Sequence, residues 1–236
     1  MRRAATPHEK EWDKRRAIKR NIQEGITILD CTVFSQEHCS EGKFLDQYVR
    51  ILNHQRQSTK PPMESVHPYY HHIRGPKRGK HNLDIDLKYA LGRTIHISAH
   101  GIFDKKNGET VLCAGNGLFR LKDLEEVVSE WEKEVPNYHL LVVLSACEAG
   151  HLDLIRTLSP RGCMYRIAPV FSTDWEKAAL FSALFYTYLF VGELRVEDGK
   201  LRAHPMEVPA AFHKAKTRLP ELTGGWKLFK NGQEVS

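Results

Sequence analysis

The sequence has no Cys-x-x-Cys pair, no Gly-rich phosphate-binding loop, no paired-carboxylate motif, no internal repeat and no low-complexity tract. Its five cysteines (Cys31, Cys39, Cys113, Cys147 and Cys163) are odd in number and irregularly spaced. That pattern argues against a disulfide framework and fits a reducing, cytoplasmic compartment. The basic opening is not followed by an apolar segment, so no secretory signal is expected. The longest apolar run, Ala178 to Val191, spans 14 residues and contains Ser182 and Thr187. It is too short to cross a bilayer and reads as a buried helix, so no membrane partner is expected. What remains is an ordinary soluble composition, 41% hydrophobic and 27% charged, in a chain long enough for one large core.

The net charge of +6 is unevenly spread. Residues 1–20 hold eight Lys or Arg against three acids, and His67 to His81 holds Arg74, Lys77, Arg78 and Lys80 with no acid. A uniformly basic nucleic-acid surface is therefore not indicated; two local basic elements are. Tyr69 and Tyr70 beside the second element make nucleic acid a secondary partner, ranked below a flexible, protease-accessible loop. His67, His71, His72 and His81 invite a zinc reading. Intervening Pro and Gly break any regular spacing and no cysteine lies close, so a surface loop without metal is preferred. No cofactor is expected.

Residues 1–24 read as a basic N-terminal arm or helix, and 25–236 as a single domain. A strand is expected from Ile26 toward Phe34, and a helix over 41–56 with Phe44, Leu45, Tyr48, Val49, Ile51 and Leu52. Further helices are expected at 84–91, 121–134, 153–158, from the Thr173-Asp174-Trp175-Glu176 capping box to Val191, and at 208–218. Strands are expected before His100 and before Cys147, at Met164 to Phe171 and at 226–230. Lys105 to Gly108 reads as a hairpin turn, and 192–207 as a mostly polar stretch. Alternating strands and helices imply an α/β fold: a doubly wound, mostly parallel sheet flanked by helices on both faces. The run after His139, Leu140 to Leu144, is apolar throughout, as befits a central parallel strand.

Two motifs carry the chemistry. His96-Ile97-Ser98-Ala99-His100-Gly101 and Leu144-Ser145-Ala146-Cys147-Glu148-Ala149-Gly150 each end an apolar, β-favouring run. His100 precedes Cys147 by 47 residues. Adjacent parallel strands would bring the two together at their carboxyl ends, where such sheets place their sites. A His about 50 residues before an Ala-Cys dipeptide is the caspase signature. Taken separately, a strand-end cysteine is often a small core residue and His-Gly is common; the spacing and context together favour a site.

The pair resembles the CHAT domain, a bacterial-type branch of the caspase, metacaspase and separase group of cysteine peptidases. The resemblance rests on Ala99-His100-Gly101 and on Leu144 to Gly150, with Ala149 where a threonine is typical. Pro169-Val170, Asp174, Phe185-Tyr186, Leu189 and Gly192 resemble the following strand and helix. Trp226-Lys227-Leu228-Phe229 with Gly232 resembles a closing aromatic strand. The likeness runs over roughly residues 25–232 and implies a caspase-like fold and a cysteine endopeptidase.

On that reading Cys147 attacks a peptide carbonyl and His100 transfers the proton. The backbone N–H groups of Gly101 and Cys147 form the oxyanion hole. The resemblance also implies that the residue two before the cysteine, here Ser145, lines the S1 pocket. Metacaspases, which cut after Arg or Lys, carry an acid there, and caspases accept Asp through arginines. Here the first strand ends in Asp30-Cys31 without an arginine, so neither rule transfers. Asp30, Asp153 and Asp174 are candidate sources of acidity, with Asp174 equally explained as a helix cap. Substrate-binding candidates are thus Ser145, Asp30, Cys31 and Asp174, and the P1 preference stays open between basic and neutral. The implied partners are a protein substrate and a regulatory protein or complex acting in trans, in a prokaryotic defence or cell-death pathway. The competing reading is a non-catalytic caspase-like module that binds a protein or nucleic acid through its basic segments.

Overall fold

The computed structural model describes residues 22–32, 40–73, 94–114, 117–120, 140–147, 149–150 and 164–235. Residues 1–21 of the expected N-terminal arm, the helices expected at 84–91, 121–134 and 153–158, the basic residues 74–80, Cys39, Cys163 and Glu148 lie outside them, as does Asp153.

In chain order the described strands are β1 (Gly25–Asp30), β2 (His67–His72), β3 (Thr94–Ser98), β4 (His100–Asp104), β5 (Glu109–Ala114), β6 (Gly117–Phe119), β7 (Leu140–Ser145), β8 (Met164–Pro169), β9 (Glu193–Glu197), β10 (Lys200–His204), β11 (Trp226–Lys230) and β12 (Gln233–Glu234). The helices are α1 (Glu41–Gln57), α2 (Trp175–Phe190), α3 (Val208–Arg218) and the single turn α4 (Pro220–Thr223).

Seven strands make the central sheet, in the order β12, β11, β8, β7, β3, β1, β2. From β2 to β8 every pairing is parallel; β11 and β12 join antiparallel at one end. The apolar β7 sits between β3 and β8, in the interior of the sheet. Its alternate residues are buried on both faces: Leu141 and Val143 on one, Val142 and Leu144 on the other.

One sheet face carries the described helices. Leu45, Val49 and Leu52 of α1 recur at helical spacing and meet Phe181, Phe185, Tyr186, Leu189 and Phe190 of α2 and Phe212 of α3. Beneath them lie Ile26, Ile28, Leu141, Val143, Ile167, Trp226 and Leu228 of the strands. Phe181 stacks on Trp226 with ring centroids 4.2 Å apart and meets Phe212 edge-on at 5.9 Å. Arg56, at the end of α1, is buried and donates to the carbonyls of Glu64 (2.7 Å) and Phe190. It thereby satisfies a last-turn carbonyl of α2 that would otherwise stay unpaired. The opposite face, with Leu29, Ile95, Ile97, Val142 and Leu144, is equally buried.

Three expectations shift. β1 ends at Asp30, with Cys31 and Thr32 outside the strand. The stretch 192–207 contains a hairpin, β9–β10, turned at Asp198-Gly199, both at positive φ (52° and 69°). An Asp-Gly pair between two alternating runs is the sequence signal for such a turn. The Thr173-to-Glu176 capping box does not form: Asp174, read also as a helix cap, holds the N-cap position of α2, and its side chain makes no cap hydrogen bond. The carboxylate pairs instead with Lys177 one turn on, at 2.8 Å.

Candidate active site

β3 and β7 are adjacent and parallel, and their last residues, Ser98 and Ser145, are register partners. Asp30, the last residue of β1, is the partner of Ser98 on the other side. Asp30, Ser98 and Ser145 therefore form a row across the carboxyl edge of the sheet. His100 lies two residues beyond Ser98, and Cys147 two residues beyond Ser145. The ladder continues for one more bond, from Ala99 N–H to Ser145 O at 3.0 Å. After it both chains leave the sheet: His100 opens β4 of the small sheet β4–β5–β6, and Cys147 enters a turn.

Gly101 fixes how closely the two loops approach. A methyl group there would stand 2.0 Å from the carbonyl oxygen of Cys147 and 3.0 Å from its nitrogen. Only a residue without a side chain fits against that backbone. Gly150 answers a similar need. Its N–H donates to Pro169 O at 2.8 Å, and a methyl group there would stand 2.5 Å from Val170 Cγ1. The segment after Cys147 is thereby held against the end of β8.

His100 is exposed and Cys147 half-buried, and both line one cavity of about 480 Å3. That volume lies in the range of ligand pockets. Its floor is the sheet edge (Ser98, Ser145), and its walls are the amino-terminal ends of α1 (Ser40, Glu41) and α2 (Asp174, Trp175, Glu176). The loop before α2 reaches the sulfur: Cys147 Sγ lies 3.6 Å from Ser172 Oγ and donates to Thr173 O at 3.6 Å.

The four residues expected to bind substrate separate into two pairs. Ser145 and Asp174 line the cavity. Asp30 and Cys31 are fully buried and do not. Asp30 accepts hydrogen bonds from Tyr70 Oη (2.8 Å), Thr32 Oγ1 (2.8 Å) and Ser40 Oγ. It thus stands behind two residues of the cavity wall, Thr32 and Ser40, and braces them. Cys31 is in no disulfide and packs in the core.

Glu41 escaped sequence reading, where it was one more polar residue of the helix over 41–56. Its carboxylate is 3% exposed, yet it lines the cavity. It accepts from Ser182 Oγ at 2.8 Å and from Ser98 Oγ at 3.2 Å. His96 Nε2 lies 3.3 Å from Oε1, close enough for electrostatic contact but not aligned as a hydrogen bond. His96 Nδ1 in turn meets Tyr186 Oη at 3.0 Å. Burial, and next the negative charge of Glu41, raise the Tyr186 pKa well above its usual value, so the phenol keeps its proton. The available signal was a serine N-cap followed at once by an acid, just after a strand: Ser40 caps α1 by accepting from Lys43 N at 3.1 Å.

Among the described residues no cluster of His, Cys, Asp or Glu is arranged to hold a metal ion. None of the described helices is long and apolar enough to cross a membrane. No curated protein gives a significant match to the chain. The model of the CHAT domain family matches residues 72–198, more than half of the sequence and the part that carries both motifs. With a mostly parallel α/β sheet beneath that match, the chain belongs to the CHAT domain family, a caspase-like group related to peptidases.

Proposed function

We propose that this protein is a cysteine endopeptidase working through a Cys147–His100 dyad. One observation carries the reading: His100 and Cys147 stand at the same offset beyond paired residues of two adjacent parallel strands and border one cavity. Gly101, the neighbour of His100, lies so close to Cys147 that a methyl group on it would stand 3.0 Å from the Cys147 nitrogen, which supports both side chains serving one substrate atom.

The steps follow from the groups present. His100 takes the thiol proton, and the sulfur of Cys147 adds to the scissile carbonyl carbon. The carbonyl oxygen becomes an oxyanion, received by the N–H groups of Gly101 and Cys147. His100 then delivers its proton to the leaving nitrogen, the C–N bond breaks and an acyl thioester remains. Water, deprotonated by the same imidazole, adds to the thioester. The new carboxyl group leaves and the thiol is restored. The bare Gly101 serves this scheme by letting the peptide carbonyl come close. Ser145 and Asp174 line the substrate cavity, and Asp30 holds its wall.

The same proposal puts the protein in the cytoplasm, acting on a protein substrate under the control of a partner in trans. A prokaryotic defence or cell-death pathway is the setting that family membership suggests.

The test is covalent labelling. A peptidyl chloromethyl ketone should alkylate Cys147 with loss of chloride, read as one added peptidyl group by intact mass and mapped by digestion. Labelling should vanish in Cys147→Ala and fall by two or more orders of magnitude in His100→Ala. Equal labelling of several cysteines, or an unchanged rate without His100, would leave only the fold.

A further inference from the structure

We propose that the cavity beside Cys147 is an S1 pocket for a basic side chain, and that Glu41 is the carboxylate that receives the arginine or lysine of the substrate. The proposal deepens the endopeptidase reading and rests on it.

A carboxylate removed from water is costly unless it is paired and hydrogen-bonded. Glu41 is 3% exposed and receives two hydroxyl hydrogen bonds, from Ser98 and Ser182. Among the described residues no Lys or Arg pairs with it; the side-chain nitrogen that faces it is His96 Nε2, at 3.3 Å. Tyr186 Oη engages His96 Nδ1 at 3.0 Å, and Nε2 makes no aligned hydrogen bond to the carboxylate. Glu41 thus stands at a cavity wall without a described Lys or Arg partner, where an incoming cation would complete it.

The surroundings agree in sign. Among the described residues the cavity is lined by the acids Glu41, Asp174 and Glu176 and by no Lys or Arg. Two helix amino termini, of α1 and α2, oppose this, each equivalent to roughly half a positive charge. Lys177 also pairs with Asp174. Among the described residues, three carboxylates against one lysine and two half charges leave the lining negative, and the most buried of the three is Glu41. An acidic P1 residue would meet like charge there.

Reach and shape agree too. Glu41 Oε2 is 3.2 Å from Ser98 Oγ, Ser98 is the strand partner of Ser145, and Cys147 follows two residues on. Strand spacing and rise put the carboxylate on the order of 10 Å from the thiol. That suits a long side chain whose carbonyl sits at the sulfur. Trp175, half exposed at the mouth, offers an aromatic surface for an aliphatic stem or a guanidinium. Ser40, Ser98 and Ser145 supply further acceptors. Glu41 lies outside the residues matched by the family model, so family membership does not assign it this role.

Two measurements test the pocket separately from the chemistry. Agmatine, a guanidinium without a scissile bond, should slow alkylation of Cys147 by iodoacetamide severalfold, while butanol should not. Absence of protection at tens of millimolar overturns the pocket whether or not the protein is a peptidase. Peptidyl chloromethyl ketones differing only at P1 should label Cys147 fastest with Arg or Lys, slower with Leu and slowest with Asp. In Glu41→Gln the Arg-to-Leu rate ratio should fall on the order of a hundredfold, the usual cost of losing one partner of a buried charge pair. Glu41→Asp should restore part of it. The ratio is internal to each sample and so survives partial misfolding. If Glu41→Gln does not fold, the wild-type ranking and the agmatine result decide alone. His100-dependent labelling that favours Leu or Asp would sink the pocket and keep the peptidase. Agmatine protection without any His100-dependent peptidyl labelling would do the reverse.

Discussion

Replacing Gly101 with alanine separates a geometric requirement of the site from the stability of the fold. The added methyl group would sit 2.0 Å from Cys147 O, and real Cβ contacts do not fall below 3.0 Å, so one backbone must retreat by about 1 Å. A displacement of that size at reacting groups costs on the order of a hundredfold in rate, or about 2.7 kcal/mol of barrier. Overpacking of this kind costs roughly 1–3 kcal/mol of stability, a melting shift of about 2–4 °C per kcal/mol for a chain of this length. Gly101→Ala should therefore stay folded at room temperature while labelling of Cys147 by a peptidyl chloromethyl ketone falls about a hundredfold. Iodoacetamide needs no oxyanion contact and should react nearly as before. Gly150→Ala is the comparator. Its methyl group would meet chiefly a valine methyl, Val170 Cγ1 at 2.5 Å, which can turn aside. It should lower the melting temperature by a similar amount and leave peptidyl labelling near wild type. Wild-type peptidyl labelling in Gly101→Ala would show that the close approach of the two loops has no part in the chemistry.

Other expectations are structural. Arg56→Ala should cost roughly 2–5 kcal/mol in urea unfolding, since it empties a buried site and strands the carbonyls of Glu64 and Phe190; a loss under 1 kcal/mol would refute that role. Tyr186→Phe leaves His96 Nδ1 without its partner and should cost about 1–3 kcal/mol, with most of the loss absent in a His96→Phe background if the two act as a pair. Glu193 is held down to about 2, first by its hydrogen bond to Arg195 and next by Lys214, against a usual value near 4.5. Its folded value is depressed, so its contribution is complete above about pH 4.5 and is lost as the pH falls toward 2. Glu193→Gln should lower the melting temperature at pH 6 but not at pH 2, and an equal deficit at both would contradict the assignment.

The parts of the fold legible in the sequence are those where a single physical signal decides. An all-apolar run such as Leu140 to Leu144 has few homes other than a sheet interior, and β7 is interior. The His-Gly and Ala-Cys motifs imply neighbouring parallel strands, and the register of Ser98 on Ser145 puts their loops side by side. What stayed hidden depends on which face a polar residue meets after folding. Asp30 and Glu41 lie eleven positions apart, both acidic and both near the start of a loop or helix. Nothing local says that Asp30 will be walled off by Tyr70, Thr32 and Ser40, while Glu41 opens on the cavity. That difference arises because Ser40 caps α1 and donates to Asp30 with one hydroxyl, turning the chain so that the next side chain faces Ser98 and Ser182. His96 follows the same logic. In a strand of the pattern Thr-Ile-His-Ile-Ser it reads as a polar interruption, and only the arrival of Tyr186 from α2 and Glu41 from α1 makes a buried imidazole tolerable. The chemistry of this cavity is therefore written in contacts between α1, α2 and β3 that lie dozens of residues apart, and a substitution at any of Glu41, His96, Ser98, Ser182 or Tyr186 should be felt by the other four.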